Sequence, residues 1–430
     1  MLTPSAIFLL QALVILAVPV LLLRLSGLMG IMPVVAVQIF VGIVLGPSVF
    51  GRISPEYFQF FAGPAVLTPL AGLATLAVLI FGLLSGLHLD HTTFSSNDRT
   101  FWSLALVNVA APMTLGCLAG WWILARYPAE LLPGVTGTEF VAAIGICVSM
   151  KALPVLGAIL VELQLLGRRI AHLALGIAGA NDILLWIVLS VLLAARAAAH
   201  PVEVDGLPPL ALIACVPVYL IVIVRFVRPA LAALLAERMR DGQFGTRAAV
   251  VLGVATVASA LTTELIGLHY IIGAFVIGAI LPDDLRKPIA DRLQVMTVAL
   301  MMPFFFALTG MRTLLDLSSP ALLEIFAVAT SASAIGIIGG TLATTAFFGE
   351  RWSFGFSLGS LLQAKGLTEL IVLTVLLDSG ILSPRLFAPM VLMALFSTAC
   401  AMPLARLALA RSGERRLVAN PGASQEQRGF

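Results

Sequence analysis

The sequence predicts an all-α polytopic membrane protein of about thirteen transmembrane helices, arranged as inverted repeats with two crossed, interrupted helices. Three observations predict it. Of 430 residues, 60% are hydrophobic and only 11% charged, and the mean hydropathy is +1.07, a composition foreign to ordinary soluble domains. Apolar runs of roughly 18–25 residues recur along the chain, each long enough to cross about 30 Å of hydrocarbon. Two of those runs are broken midway at corresponding places in the two halves, the best sequence sign of a transporter's binding site.

Spans are read near 5–23, 31–49, 68–86, 101–125, 139–161, 170–195, 207–224, 248–263, 265–282, 293–311, 321–348, 353–377 and 386–405. The first lacks a charged leading segment and a small-residue cleavage site, so it reads as a retained helix rather than a signal peptide. With the N-terminus outside, eighteen Lys and Arg fall in inside loops and the tail, and only Arg52, Arg126, Arg196, Arg312 and Arg385 fall outside. That bias follows the positive-inside rule and puts the C-terminus in the cytoplasm. The expected organisation is a transmembrane domain over 1–412 and a short cytoplasmic tail over 413–430, in a bacterial inner or cell membrane. The net charge of +3 is loop bias, with no support for nucleic-acid binding. The longest inside loop, 225–247, is too short for a soluble domain.

Cys117, Cys147, Cys215 and Cys400 all lie in expected spans without a C-x-x-C pair, and read as small apolar residues. No phosphate-cradling loop, metal-ligand spacing or hydrolase triad stands out, and no cofactor is implied.

Lys151 and Lys365, two of the chain's three lysines, sit inside apolar spans. Charges at bilayer depth are costly and usually mark an ion or proton pathway. Both lie beside helix breakers, in Ser149-Met150-Lys151-Ala152-Leu153-Pro154 and Gln363-Ala364-Lys365-Gly366. Pro154 cannot donate to the carbonyl of Met150, so the first helix should break over Ser149–Leu153. In lipid such a break survives only when buried in protein or lining a cavity. The second lysine lies 214 residues on (365 − 151), the spacing of a repeat. Each half-helix end carries a partial charge of about 0.5, which Lys151, or Lys365 with Glu369 four residues later, can neutralise.

Asp182 is the only formal charge between Arg169 and Arg196. Gly176, Gly179 and Asp182 share one helix face, and small residues there let another backbone approach closely. Desolvation favours the protonated carboxyl and a nearby cation the ionised one, so a proton and a cation can compete for Asp182.

Several of these segments, in order, resemble the monovalent cation/proton antiporter superfamily in its Kef and plant CHX branch. The glycine-rich stretch Gln38 to Ser48 is similar to that family's second span. So are Leu73-Ala74 through Gly86-Leu87-His88-Leu89-Asp90, and Gly267-Leu268-His269 through Gly273-Ala274-Phe275. The strongest matches are Ala152-Leu153-Pro154-Val155-Leu156 followed by Asn181-Asp182, Pro303-Phe304-Phe305 with Gly310, and Lys365-Gly366 with Glu369. The resemblance, over roughly 30–405, implies a homodimer with a mobile core, including 101–195 and 293–377, and dimer or scaffold helices elsewhere. It implies unwound helices near 149–154 and 363–367, and Asp182 as the carboxyl that binds either cation or proton. Asn181 before Asp182 resembles the electroneutral members. Lys151 stands where the family usually has a threonine that helps ligate the ion.

The resemblance thus implies a secondary transporter exchanging Na⁺ or K⁺ for protons by alternating access through Asp182, with Asn181 and Lys151 beside it. Lys365 and Glu369 would then neutralise dipoles or couple the steps, and Ser149, Pro154 and Gly366 would shape the breaks. Two alternatives stay open: the same scaffold carrying an anion or zwitterion, or a membrane-embedded enzyme using a Lys151–Asp182 pair for acid–base chemistry.

Overall fold

The computed structural model describes residues 3–25, 34–87, 99–165, 168–199, 209–239, 244–266, 269–313, 315 and 320–411. His88, Leu89, Asp90, Gly267, Leu268 and the tail 413–430 lie outside them. Among the described residues the regular elements are all helices, without strands. In chain order the helices are α1 (Pro4–Leu25), α2 (Val34–Leu45), α3 (Phe50–Ile53), α4 (Pro55–Ala62), α5 (Pro64–Leu87), α6 (Arg99–Arg126), α7 (Gly137–Ser149), α8 (Leu153–Glu162), α9 (Arg169–Ala199) and α10 (Pro209–Val222). They continue with α11 (Arg228–Arg238), α12 (Thr246–Leu265), α13 (Tyr270–Ile280), α14 (Asp283–Met296), α15 (Met302–Arg312), α16 (Pro320–Ala334), α17 (Gly340–Phe347), α18 (Trp352–Leu362), α19 (Leu367–Asp378) and α20 (Pro384–Arg411). Single π-turns join α10 to α11, α14 to α15, and α16 to α17.

Among the described residues nine helices are long and apolar enough to cross a membrane. The other expected spans coincide with the shorter α2 and α13 and with two interrupted pairs, α7/α8 and α18/α19. The protein is a multi-pass membrane protein.

Two boundaries differ from the sequence reading. The expected inside loop 225–247 is helical as far as Arg238, because Leu231 and Leu235, one turn apart, are both buried. The span expected at 293–311 begins instead at Asp283. Its first turns bury Leu285, Ile289 and Ala290, and Arg286 folds back onto the carbonyls of Leu281 and Ala279, both at 2.7 Å. A polar, amphipathic start of this kind has too little net hydropathy to read as a span.

The chain forms two compact units. One comprises residues 1–28, 37–94 and 186–315, the other 29–36, 95–185 and 316–430. The first unit gathers Leu83 and Leu87 of α5, Leu252 of α12, Ile277 of α13 and Ile289 of α14 into a common core. Glycines set how close its backbones come. A Cβ on Gly310 would stand 2.3 Å from the carbonyl oxygen of Ile39 and 2.8 Å from Cα of Gly42, so α15 and α2 touch backbone to backbone.

The second unit repeats one order of elements twice: long helix, interrupted helix, long helix. It runs α6, α7/α8, α9 and then α16/α17, α18/α19, α20. The second half-helix restarts at Leu153 in one repeat and Leu367 in the other. Its core draws Leu104 from α6, Leu160 from α8, Ile177 from α9, Leu361 from α18 and Ala405 from α20 around the interrupted segments.

Gly310→Ala should therefore lower the thermal midpoint of the detergent-solubilised protein, by an overpacking cost of about 1–3 kcal/mol. Gly253→Ala in α12, where a Cβ meets nothing within 4 Å, should leave the midpoint unchanged or raise it. Thermal size-exclusion profiles of the two variants check both.

Candidate functional site

The first interruption starts from a well-defined helix. Thr136 caps α7: its hydroxyl accepts from the Glu139 N–H (3.2 Å) while the Glu139 carboxylate accepts from the Thr136 N–H (2.7 Å). The helix ends at Ser149, Met150 turns to extended backbone, and α8 begins at Leu153. Pro154 is the second residue of α8, where its missing N–H leaves no helical bond unmade. The second interruption spans Gln363 to Gly366, the last with φ +157°.

The two interruptions cross. The Ala152 N–H donates to the Ala364 carbonyl at 2.9 Å, one irregular segment hydrogen-bonded to the other. Gly366 is required at the crossing for two reasons. Its φ is one that side chains rarely adopt, and a Cβ there would lie 2.8 Å from Cγ2 of Val155.

A helix ending inside a protein leaves its last four carbonyls without helical partners. Here each finds one. The Ile146 carbonyl accepts from the Met150 N–H (3.1 Å) and the Ser149 hydroxyl (3.0 Å). The fully buried Lys365 ammonium donates to the carbonyls of Cys147 (3.2 Å), Val148 (3.0 Å) and Met150 (3.1 Å). It also meets the buried Glu369 carboxylate at 3.4 Å. The Ser149 carbonyl accepts from Lys151 Nζ and from Asn181 Nδ2, both at 3.3 Å. A cation from the second interrupted helix thus sits at the negative end of the first.

Lys151, 1% exposed, has its shortest bond elsewhere: Nζ donates to the Asn108 carbonyl of α6 at 2.7 Å. That carbonyl is free because the residue four positions on is Pro112, which has no N–H to give. The Asn108 side chain donates to Thr341 Oγ1 (3.1 Å), whose hydroxyl reaches the Ile337 carbonyl in the α16–α17 π-turn (2.6 Å).

Asp182 and Asn181 are buried on α9. A Cβ on Gly179 would meet Cδ1 of Leu153 at 3.6 Å, so the face that carries Gly179 lies against the start of α8. Among the described residues, Asp182 Oδ1 and Asn181 Oδ1 have no hydrogen-bond partner. Lys151 and Asp182 interact electrostatically, yet no hydrogen bond or ion pair joins them: the lysine bonds only backbone carbonyls.

The structure therefore brings Ser149, Lys151, Asn181, Asp182, Lys365, Glu369 and Gly366 into one unit, around one crossing. It adds residues that sequence reasoning missed. Asn108 and Thr341 hold the far side of Lys151. Gln363 Nε2 donates to Ser333 (3.1 Å) and Ser397 (3.3 Å), and Thr398 accepts from the Lys365 N–H (3.1 Å). Only Asn108 left a signal, a polar residue four positions before a proline within a span.

Likeness to known proteins runs the length of this architecture. The sodium/hydrogen exchanger transmembrane family matches residues 12–406. Cation/H(+) antiporter 19 of Arabidopsis thaliana is 31% identical over 87% of this chain and 46% of its own. K(+)/H(+) antiporter 1 of Saccharomyces cerevisiae is 30% identical over 97% of this chain and 48% of its own. This chain spans just under half the length of those two relatives. Na(+)/H(+) antiporter NhaS4 of Synechocystis is 29% identical over 91% of this chain and 96% of its own. The solved structure of the sodium proton antiporter MjNhaP1 from Methanocaldococcus jannaschii has the same fold, with TM-score 0.60, 14% identity, and coverage of 97% of this chain and 100% of that one. With 395 of its positions (12–406) matched and both interrupted helices in place, the chain belongs to the transmembrane sodium/hydrogen exchanger family.

Proposed function

We propose that this chain exchanges a monovalent cation, Na⁺ or K⁺, for protons, with Asp182 as the carboxyl for which the two compete. One observation carries the proposal: a buried carboxylate with an unpartnered oxygen, next to the equally unpartnered Asn181 oxygen, on the helix packed against the first break. Acceptors left empty in a dry interior are costly, and a dehydrated cation or a proton removes the cost.

Charge balance supports exchange over simple binding. With Asp182 protonated, Lys151, Lys365, Asp182 and Glu369 sum to +1, and a cation that takes the place of that proton leaves the sum unchanged. A cation added without the proton leaving would raise the buried charge further, so its arrival expels the Asp182 proton. The proton in turn displaces the cation when the site opens to the other side. The relatives' printed names, Na(+)/H(+), K(+)/H(+) and cation/H(+) antiporter, point the same way. A Lys151–Asp182 acid–base pair, which the enzyme alternative needs, has no support in the hydrogen bonding, because the two bonds that Lys151 makes go to backbone carbonyls.

The proposal extends to the assembly: a homodimer in a bacterial cell membrane, N-terminus outside and C-terminus inside, whose core, over 101–195 and 293–377, moves to alternate access. Accessibility labelling of single cysteines at Ser5 and Ser412 in intact cells tests the orientation. Light scattering of the detergent complex tests the dimer.

In proteoliposomes, wild-type protein should produce a cation-dependent change of internal pH, and Asp182→Asn should abolish it. Absence of any response to Na⁺, K⁺ and Li⁺ by the wild type would sink the proposal. Because protons compete with the ion at one carboxyl, the apparent KM for the cation should rise as pH falls, by up to about tenfold per pH unit. A KM that stays flat across the active pH range would exclude a shared site.

A further inference from the structure

We propose that a cavity walled by Arg168, Arg169 and Arg351, where α9 and α18 begin and α20 ends, is a binding site for a phosphate group, carried in the membrane by the headgroup of an anionic lipid. The cavity lies wholly within the second unit and shares no residue with the crossing of the interrupted helices. The inference holds whichever ion the chain exchanges.

Local sequence builds the walls. α17 ends in a glycine cap: the Glu350 N–H donates to the Thr345 carbonyl and the Gly349 N–H to that of Ala346, both at 3.0 Å, with Gly349 at φ +78°. That turn delivers Glu350 and Arg351 to the start of α18. Arg168 is fixed just before α9, because its carbonyl accepts from the N–H groups of Ala171 (3.0 Å) and His172 (3.1 Å). Arg169 is held from two sides, by the Glu350 carboxylate at 2.6 Å and by the Phe354 ring, whose centroid lies 5.4 Å from the guanidinium carbon. The space enclosed is about 470 Å³, the size of a small-molecule site. Ile170 and Leu409 give it an apolar floor.

Charge names the ligand class. Three guanidinium groups line the cavity against one carboxylate, and among the described residues Arg168 and Arg351 make no ion pair. A guanidinium fork matches phosphate oxygens two at a time. The first N–H groups of α9 and α18, which have no helical acceptor, add to a field that the arginines already define. Arginines placed only to set topology need no shared concavity; these three converge on one. The rim indicates what carries the phosphate. Phe347 and Trp352, flanking Glu350 and Arg351, are 85% and 59% exposed, and Trp352 stacks on Phe356 with centroids 5.1 Å apart. Exposed aromatic rings beside arginines mark the headgroup level of a bilayer, where basic pockets between helices take lipid phosphates. A soluble phosphate ester needs the arginines but not that rim. A bound headgroup would tie α9, which carries Asp182, to the turn between α17 and α18, and so one repeat to the other.

The test uses the full-length, delipidated protein in detergent and reads the thermal midpoint against added ligand, independently of transport. Phosphatidylglycerol should stabilise the wild type saturably, with half-saturation at least about tenfold below that of phosphatidylcholine. Arg168→Gln/Arg351→Gln should weaken the phosphatidylglycerol response about thirtyfold, the effect of two lost arginine–phosphate attractions. Arg225→Gln/Arg228→Gln removes the same charge from exposed positions on the first unit and should keep the full response. If Arg168→Gln/Arg351→Gln is not monodisperse, Arg351→Glu alone, which reverses one wall, carries the same comparison. Native mass spectrometry of the wild type should retain phosphatidylglycerol in preference to phosphatidylcholine. Glycerol 3-phosphate and inorganic phosphate should act only at much higher concentration. A glycerol 3-phosphate response equal to that of the lipid, and lost in the same variant, keeps the phosphate site and overturns the lipid as its source. No preference for phosphatidylglycerol or glycerol 3-phosphate over phosphatidylcholine, or an equal loss in the Arg225/Arg228 pair, overturns the site itself.

Discussion

Everything at the centre of this protein depends on how a helix is allowed to end inside it. A terminus at bilayer depth exposes carbonyls that water cannot reach, each costing several kcal/mol if left alone. The Lys365 ammonium satisfies three carbonyls around the end of α7 at once. Because Lys365 belongs to the other interrupted helix, the two breaks cannot form independently. The Ala152–Ala364 backbone hydrogen bond and the tight fit of Gly366 against Val155 are the local consequences. Breaking a fully buried ammonium away from its partners is among the costliest changes a protein can suffer, so the crossing behaves as one element.

With the helix end neutralised from one side, the remaining charges are free for chemistry. Glu369 balances Lys365 directly, whereas Asp182 is left without a bonded counter-ion. That asymmetry separates two pairs that look alike in the sequence. Both carboxylates keep one buried oxygen without a partner, Glu369 Oε2 and Asp182 Oδ1, but Glu369 Oε1 is tied to Lys365 and reads as architecture, whereas Asp182 has no ion pair among the described residues and reads as a site. Family membership alone would not distinguish them, since the match covers both regions equally.

Much of this was legible in the chain. Long apolar runs, Pro154, Gly366 and three buried charges announce a membrane protein with two interrupted helices, because each violates a strong local rule: no charge in lipid, no proline within a helix. The π-turns near 225, 299 and 337 left no such mark, since a one-residue excess in a helix costs little and breaks no compositional pattern. The helical stretch to Arg238 and the early start of α14 at Asp283 were hidden for a related reason. Their stability comes from one buried face, and the opposite face carries the charges that hydropathy counts against a span.

By itself the sequence determined the fold class, the sites of both breaks, and the identity of the charges that must be accommodated, since desolvation acts on a residue wherever it lies in lipid. Only the tertiary structure decided how those charges are shared. Which lysine caps α7, which carbonyl Pro112 releases, and which carboxylate stays open all depend on hydrogen bonds between residues 43 to 218 positions apart. Such bonds are set by angles and distances of less than an ångström's tolerance, which no periodicity in the chain encodes.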